Sequence, residues 1–337
     1  MKVLFREMRS VSHLLSPPKA CGPSLLYIAV AVFAFGASVR AATYTIIDPP
    51  YATASFPTGV NDYGVIAGYF DQGRAIGGFV RSPNGIYTTF DPPATGVNNR
   101  GWVIGQVDAD HGFIRKPNGH VRTFGVNGGH NLVEAAINGV RSVCGSFTDD
   151  QNEHGYLRTA DGTVTVFDPP DARRTVAGGI NDSGAITGSF VDIHSVGHGF
   201  VRAPDGTITA FDPPGSPSTL AYSINAGGSI VGEYGTYAAV HGFIRDAAGN
   251  FTSFDLPAQG VADIPWMGIN KKGVIAGWYD AGGYTSSGFV RKPDGKIQFF
   301  DVPDAYFTFV TGINRKGAVV GFFEASDGTY HGFLRTP

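Results

Sequence analysis

Histidine and aspartate recur along this chain in pairs of constant spacing, and both side chains can perform acid–base chemistry or bind metal ions. Each histidine lies near the start of an apolar segment, and each aspartate ends the next apolar segment. The pairs are His154 with Asp168, His198 with Asp212, and His241 with Asp255. Because the pairs are distributed along the chain rather than gathered at one place, we interpret them as structural hydrogen bonds and predict no metal site.

A second group of ionisable residues lies between apolar segments in the first two thirds of the chain. Its members are Asp108, Asp110, Asp149, Asp150, Glu153 and Asp192, with His194 close by. Carboxylates can bind Ca²⁺, but the D-x-D-x-D-G type of spacing is missing, so solvated loop charge is the favoured interpretation. We find no Ser-His-Asp arrangement, phosphate loop or zinc spacing and predict no cofactor. An enzyme would have to use Asp149, Asp150, Glu153 or Glu134.

Aromatic residues form a third group, concentrated towards the C-terminus. Those expected on a ligand-binding face are Tyr234, Tyr237, Trp266, Trp278, Tyr279, Tyr284 and Tyr306. Such rings can form a platform for sugars or a protein contact. Burial under loops or between sheets is an equally open interpretation.

A sequence repeat must position all three groups. A motif close to G-I-N-x-x-G-x-I-x-G, H-G-F-x-R and then D-G-x-x-x-x-F-D-P-P occurs seven times, at intervals of 37 to 45 residues. Its asparagines are Asn61, Asn98, Asn138, Asn181, Asn225, Asn270 and Asn314. Four short extended segments in a period of this length are typical of a β-propeller blade, so the chain predicts an all-β, seven-bladed propeller over residues 42–337.

The loops between the predicted strands are of two kinds. The loops between the first and second strands, and between the third and fourth, are tight turns rich in Asn, Asp and Gly, and all of them lie on one face. The other two loops of each repeat vary in length, and they lie together on the opposite face. We expect function on that variable face.

The two ends of the repeat array are complementary. The last repeat stops at His331-Gly332-Phe333-Leu334-Arg335 and lacks a fourth strand, whereas residues 43–50 read as a fourth strand without a repeat before it. We predict that residues 45–48 form the outermost strand of the blade built from residues 309–335, which would close the ring and remove an exposed sheet edge.

The repeat resembles that of the extracellular HAF-repeat proteins, a bacterial group named for a His-Ala-Phe triplet. The triplets here are His111-Gly112-Phe113, His198-Gly199-Phe200, His241-Gly242-Phe243 and His331-Gly332-Phe333. Glycine replaces the alanine, His154-Gly155-Tyr156 departs further, and Gly77 and Ser287 stand where histidine is lost. The resemblance implies an exported propeller and supplies no active site.

The N-terminal segment has the features of an export signal. Lys2, Arg6, Arg9 and Lys19 precede an uncharged apolar stretch over residues 25–37, and Val39-Arg40-Ala41 suits a signal peptidase. We predict a signal peptide over residues 1–41 with cleavage near Ala41, and hence a secreted or periplasmic protein. A membrane anchor is the alternative, although a span needs about 20 apolar residues.

Composition restricts the partners. Residues 1–41 contain five of the 25 Lys and Arg residues and one of the 28 acids, which leaves 20 basic and 27 acidic residues. This balance gives no electrostatic basis for binding nucleic acid or anionic membrane. We therefore expect a monomeric, non-catalytic binding module for a polysaccharide or an envelope or extracellular protein. The alternatives are a secreted lyase or hydrolase with an acidic site, and a purely structural repeat protein.

Overall fold

A computed structural model describes residues 42–73, 75–236, 239–257, 264, 266–280 and 285–337. The predicted signal peptide therefore lies outside the described residues. Within the described ranges, regular secondary structure consists of β-strands. This part of the chain holds no helix with the length and apolar character needed to cross a membrane.

The strands pair antiparallel in consecutive groups of four. After β1 (Thr43–Ile47), the first group is β2 (Ala54–Val60), β3 (Ile66–Asp71), β4 (Ile76–Arg81) and β5 (Tyr87–Phe90). The second is β6 (Ala94–Val97), β7 (Val103–Gln106), β8 (Gly112–Arg115) and β9 (Val121–Phe124). Each of these groups is a separate sheet with its strands in chain order.

The next twelve strands form three such groups in one sheet. They are β10 (His130–Ile137), β11 (Val143–Thr148), β12 (Glu153–Arg158) and β13 (Val164–Phe167). Then come β14 (Ala172–Ile180), β15 (Ile186–Asp192), β16 (Gly197–Arg202) and β17 (Ile208–Phe211). The third set is β18 (Ser218–Ile224), β19 (Ile230–Gly235), β20 (Val240–Arg245) and β21 (Phe251–Phe254). Single parallel pairings, Glu153 with Arg174 and Gly197 with Ser218, join the three sets.

Two four-stranded sheets complete the described chain. One contains β22 (Trp266–Ile269), β23 (Ile275–Asp280), β24 (Ser286–Arg291) and β25 (Ile297–Phe300). The other contains β26 (Ala305–Ile313), β27 (Val319–Ala325) and β28 (Tyr330–Thr336), with β1 paired antiparallel to β28. Thr45 lies opposite Leu334 and Ile47 opposite Gly332, so the first described strand supplies the fourth strand of the last sheet.

Close packing explains two recurring glycines. A Cβ on Gly188 would lie 2.1 Å from the Val176 carbonyl oxygen of the adjacent strand. A Cβ on Gly199 would lie 2.4 Å from the Phe211 ring. The second contact accounts for Gly in the His-Gly-Phe triplet, because the ring at the end of the fourth strand occupies the space of an alanine methyl group.

Neighbouring groups pack through aromatic and cationic side chains. Phe113 and Phe200, from the triplets, are fully buried. The guanidinium of Arg115 lies 4.5 Å from the ring centroid of Phe90 in the preceding group, a cation–π contact that recurs along the chain. Cys144 is also fully buried, and burial raises the pKa of its thiol to about 12.

The repeated asparagines connect neighbouring turns. Asn61 Oδ1 accepts hydrogen bonds from the amides of Tyr63 and Val65, and Asn61 Nδ2 donates to the carbonyl oxygen of Asn98 at 3.0 Å. The equivalent Nδ2 bonds run from Asn98 to Asn138, Asn138 to Asn181, Asn181 to Asn225, Asn225 to Asn270, Asn270 to Asn314 and Asn314 to Asn61. We call this series the asparagine belt. The sequence predicted a turn residue here and missed the link between repeats.

Candidate functional site

A cavity of about 490 Å³ collects side chains from the first two strands of successive groups. Its wall is formed by Thr58, Thr95, Ala135, Ala136, Gly178, Gly179, Ile180, Tyr222, Ser223, Ile224, Trp266, Trp278, Phe309, Val310, Thr311 and Phe322. We call it the central cavity. Apart from the tyrosine hydroxyl, this lining carries no ionisable group, so hydroxyls, small residues and aromatic rings define its chemistry.

Bulges in the first strands direct side chains into the central cavity. The pairing of first and second strands slips by one residue at Thr58, Thr95, Ala135, Gly178, Tyr222 and Thr311. A β-bulge bends its strand and re-aims the extra residue. The hydroxyl of Thr311 donates to the carbonyl oxygen of Pro57 at 2.6 Å, and that of Thr58 donates to the carbonyl oxygen of Ala94 at 3.2 Å. The bulges therefore also join neighbouring groups.

One position in the repeat separates the seven groups into two classes, and two of its aromatic members, Trp278 and Phe322, line the central cavity. It directly follows the recurring glycine of the second strand. In three groups it is aromatic, namely Trp278, Phe322 and Tyr69. In the other four it is polar, namely Gln106, Ser146, Ser189 and Glu233. The three aromatic groups are β22–β25, the group completed by β1, and β2–β5, so the aromatic positions follow one another in space through the contacts between these groups.

The aromatic residues at this position belong to a continuous series of ring contacts, which we call the aromatic wall. Its members Trp266, Trp278, Phe309 and Phe322 line the central cavity, and Phe56 and Tyr69 extend the series beyond that lining. Trp266 lies opposite Trp278 in the strand pair, and Trp278 meets Phe309 edge-on at 4.9 Å. Phe309 stacks on Phe322 at 4.7 Å and 25°. Phe56 continues the series, 5.1 Å from Phe322, and stacks on Tyr69 at 4.9 Å. The members are partly exposed, so their outer surfaces can receive a ligand.

The polar residues at this second-strand position form hydrogen bonds to neighbouring strands. Ser189 Oγ accepts the amide of Ala221 at 2.8 Å. The Glu233 carboxylate accepts the Tyr222 hydroxyl at 2.7 Å and the Ile264 amide at 2.8 Å. Because these polar groups are committed to neighbouring strands and are absent from the lining of the central cavity, they stabilise the fold.

The structure separates the aromatic residues predicted for a ligand-binding face. Trp266 and Trp278 line the central cavity, and Tyr306 is 58% exposed against Phe307. The prediction is wrong for Tyr234 and Tyr279, which are buried.

The Tyr234 hydroxyl and Ser253 Oγ share a hydrogen bond, and the Tyr234 ring stacks on His241. Tyr279 packs against Phe289 and Phe299. Tyr234 directly follows Glu233, and Tyr279 directly follows Trp278. Because side chains alternate along a strand, both tyrosines point to the opposite face of the sheet. Tyr237 and Tyr284 lie outside the described residues. Sequence reasoning missed Phe309, Phe322, Phe56 and Tyr69, although comparison of the second-strand position between repeats would have found two of them.

The structure brings the predicted His–Asp pairs together. The distances from histidine Nδ1 to carboxylate oxygen are 2.7 Å for His154 and Asp168, 2.7 Å for His198 and Asp212, and 2.5 Å for His241 and Asp255. A fourth pair joins His331 to Asp48 at 2.8 Å through the pairing of β1 with β28.

In two of these pairs the second carboxylate oxygen of the aspartate shows what the pair does. Asp168 accepts the hydroxyl of Thr175, and Asp212 that of Thr219, both at 2.6 Å and both from the next group. The aspartate thus lies between imidazole and hydroxyl. A nucleophilic triad requires the imidazole next to the hydroxyl, so this order supplies a link between groups and no activated nucleophile.

The acids that an enzyme would need do not converge. Asp149 Oδ1 accepts the amides of Gln151 and Asn152, and Glu153 pairs with Arg174. Asp150 is exposed in the same turn. Within the described ranges, no three His, Cys, Asp or Glu side chains are grouped so that they could hold a metal ion.

Glu134 differs from the other acids because it is buried. Its residue is 4% exposed, and neither carboxylate oxygen has a hydrogen-bond partner among the described atoms. Burial raises the pKa of this carboxyl group to about 8. The side chain lies against Gly112 of the preceding group and is absent from the lining of the central cavity.

Comparisons with known proteins identify the fold. No family model and no curated protein matches the sequence. A catalytically inactive virginiamycin B lyase from Staphylococcus aureus, solved with quinupristin, is 14% identical with a TM-score of 0.61, over 88% of this chain and 100% of the other. The β-propeller domain of the Trilobed protease from Pyrococcus furiosus is 8% identical with a TM-score of 0.59, over 85% and 94%.

A puromycin hydrolase is 11% identical with a TM-score of 0.56, over 85% of this chain and 53% of the other. At such identities the similarity concerns the fold alone. The chain is an all-β protein with the propeller fold, a fold on which enzymes occur, and function has to be argued from the site.

Proposed function

We propose that the chain is an exported propeller with seven blades in a closed ring, related to the HAF-repeat proteins. The seven repeats and the recurring His-Gly-Phe triplets support the blade count and the relationship. The pairing of β1 with β28 and the bond from Asn314 to Asn61 support closure. Residues 1–41 are its signal peptide in this proposal, and the mature protein acts outside the cytoplasm.

The proposed function is non-catalytic binding at the central cavity. The observation that carries it is the aromatic wall, because four of its rings line the central cavity, and the second-strand position of Trp278 and Phe322 is polar in four other groups. A role in blade packing alone would be met equally by the hydrogen bonds of Ser189 or Glu233. Partly exposed rings on one side only favour an oriented ligand with a flat apolar surface.

The ligand that fits these features is a saccharide unit of a polysaccharide. A sugar ring offers an apolar face to Trp278 or Phe322, and its hydroxyls can bond to the threonines that line the same cavity, Thr58, Thr95 and Thr311. The cavity volume of about 490 Å³ falls within the range of sites for small ligands. An envelope or extracellular protein that inserts an aromatic or apolar side chain is the second occupant with the same chemistry.

An enzyme has weaker support. The raised pKa of Glu134 keeps this carboxyl group protonated at neutral pH, as a general acid requires. However, this carboxyl group is buried against Gly112, outside the lining of the central cavity. Asp149 and Glu153 are held by turn and ion-pair contacts. A lyase or hydrolase would require a substrate to reach Glu134, and Glu134→Gln would then abolish turnover.

The test is a glycan array with the purified mature chain, followed by calorimetry on each hit. We expect Trp278→Ala and Phe322→Ala to weaken saccharide binding by roughly tenfold or more, since loss of a stacked ring costs about 1–3 kcal/mol. Tyr63→Ala is the matched control, because Tyr63 is 63% exposed on a tight turn away from the cavity lining.

The outcomes separate the alternatives. Equal losses in Trp278→Ala and Tyr63→Ala would remove the aromatic wall from the site. An array without hits, together with no turnover of polysaccharide substrates, would leave a protein partner or a purely structural role. Turnover abolished by Glu134→Gln but retained in Trp278→Ala would favour the enzyme.

A further inference from the structure

Four cations surround one tryptophan in a small pocket that shares no residue with the central cavity. The pocket has a volume of about 160 Å³. It is lined by Trp102, Ile114, Lys116, Arg122, Arg141, Arg158 and Ala160. Trp102 follows the tight turn between β6 and β7, and Arg141 ends the turn between β10 and β11. The pocket therefore lies on the tight-turn side of two neighbouring groups.

Two of the four cations lie over the tryptophan ring. Lys116 Nζ lies 5.9 Å and Arg141 Cζ 5.2 Å from the centroid of the Trp102 ring. Both distances are within cation–π range. Among the described ion pairs, none involves Lys116, Arg122 or Arg141. Asp161, on the turn after β12, is the nearby acid: its charge acts on Arg158, and its Oδ1 accepts the Thr159 hydroxyl and the Thr163 amide.

Comparison between repeats shows which of these residues the fold requires. An arginine at the position of Arg158 recurs in every repeat, and here it lies 4.9 Å from the Phe124 ring centroid, so it is part of the blade. The position of Arg122 carries threonine or glutamine in the other repeats with a complete fourth strand: Thr88, Thr165, Thr209, Thr252 and Gln298. The position of Trp102 carries Val65, Ser142, Ala185, Ser229, Val274 and Ala318. Trp102 packs partly against the core cluster that contains Ile104 and Ile114, whereas blade packing does not explain the exposed Arg122.

Arg141 is the strongest departure. Its φ of +76° lies in the left-handed region, and the equivalent turn residue in the other repeats is glycine: Gly64, Gly101, Gly184, Gly228, Gly273 and Gly317. An arginine is disfavoured in this conformation, where glycine carries no such penalty. The turn therefore loses stability in order to hold a guanidinium over Trp102. Mutual repulsion of the four cations, in a chain with an acidic excess, is a second cost that a bound anion would relieve.

We propose that this pocket binds a tetrahedral oxoanion, either free or as the phosphate or sulfate ester of a larger molecule. Guanidinium groups present N–H donors in a planar fork that matches the oxygens of such an anion. Arg122 and Arg141 come from two neighbouring groups and would hold the anion between them, with Lys116 adding charge. The partly exposed Trp102 ring would pack against the organic group of a phosphate or sulfate ester.

The experiment is calorimetric titration of the full chain with inorganic phosphate, inorganic sulfate, glucose 6-phosphate and glucose, at constant ionic strength. We expect saturable binding of the first three at one site per chain that is weakened in Arg141→Gly, whereas any binding of glucose, which would occur at the central cavity, should be the same in both proteins. Arg141→Gly and Arg122→Thr each restore the residue found in other repeats and should weaken binding by roughly tenfold or more. Both variants should fold, and Arg141→Gly should melt at an equal or higher temperature.

Lys292→Ala is the matched control. Lys292 follows β24 as Lys116 follows β8, but Val274 and Gln298 replace the tryptophan and the additional arginine there. It should change affinity less than twofold, within the range of a remote surface substitution. Tighter binding of glucose 6-phosphate than of phosphate would identify an ester as the natural ligand, and equal affinities a free anion. The proposal is overturned by absence of saturable binding, or by equal losses in Lys292→Ala and Arg141→Gly.

Discussion

The side-chain amide of Asn314 donates to the carbonyl oxygen of Asn61 at 3.0 Å, although the two residues are 253 positions apart. The same bond joins each repeated asparagine to its counterpart in the next repeat, as with Asn61 and Asn98. Each such side chain is nearly fully buried, and its oxygen caps its own turn. One residue type therefore fixes a turn and positions the next repeat at once.

The first prediction concerns this contact. Asn314→Ala should lower the free energy of unfolding by about 1–3 kcal/mol, because the Asn61 carbonyl and the amides of the Asn314 turn lose their buried partner. Urea denaturation measures the change. Asn181→Ala, within the repeat array, should cost a similar amount, whereas Asn118→Ala on an exposed turn should cost little. A loss in Asn181→Ala without one in Asn314→Ala would contradict the contact between the last and first repeats.

The second prediction tests the docking of β1 with two adjacent residues. Ile47 is fully buried in a cluster with Ile66, Phe70 and Phe79, whereas Ile46 points outward and is 48% exposed. Ile47→Ala should destabilise the protein by about 2–5 kcal/mol, the range for a truncated core isoleucine. Ile46→Ala, with the same change in chemistry, should alter stability by about 0.5 kcal/mol or less. Equal effects would mean that β1 does not pack as described.

The sequence predicted the strands and the pairing partners because both depend on local, repeated patterns. The period of the repeat, the turn residues and the unmatched segment at residues 43–50 carry that information without any long-range measurement. The His–Asp spacing likewise predicted contacts such as His198 with Asp212, since a hairpin brings the two positions together.

The candidate site was less predictable because side-chain direction depends on bulges. The one-residue slip at Thr58 or Tyr222 changes which side chains face the cavity, and the regular alternation of a strand does not predict it. Tyr234 and Tyr279 were misassigned because neighbouring residues on a strand face opposite ways. The asparagine belt was missed because an asparagine beside a turn has a sufficient local explanation.

The third prediction is a pH dependence that comes from His154. Its Nδ1 lies 2.7 Å from Asp168 and its Nε2 3.1 Å from Asp149. Burial alone lowers the pKa of the imidazole, but hydrogen bonds and charges of the two carboxylates outweigh it and raise the pKa above 6.5. The folded protein binds this proton more tightly than the unfolded chain. The resulting stability is complete below about pH 6.5 and is lost as pH rises through the folded pKa.

His154→Gln should therefore cost more stability at about pH 5.5 than at about pH 8.5. Denaturation curves of both proteins at the two pH values give the difference. His120→Gln, on an exposed turn, is the control and should show no such dependence. A cost that is the same at both pH values would mean that His154 is not held between two ionised carboxylates.

The last prediction concerns Glu134, a buried acid. The folded protein disfavours its charged form, whereas it favours the charged form of His154. Glu134 occupies a first-strand position at which other repeats have Ala94, Ala177, Ala221 or Val310. Its pKa rises from 4.5 to about 8 because burial removes the carboxylate from water. In the unfolded chain the group ionises near its ordinary pKa, whereas in the folded protein it keeps its proton until about pH 8. Stability therefore falls as pH rises through this window.

Glu134→Gln removes the ionisation while it keeps the shape of the side chain. The variant should match the wild type near pH 4 and exceed its free energy of unfolding by about 1–3 kcal/mol near pH 8. Urea denaturation across this range measures the divergence. Glu324→Gln is the control. Glu324 accepts a hydrogen bond from the Tyr330 hydroxyl at 2.9 Å, so this substitution should not increase the free energy of unfolding near pH 8. A Glu134→Gln curve parallel to the wild type would show that the carboxyl group is ionised in the folded protein, in contact with water or a partner.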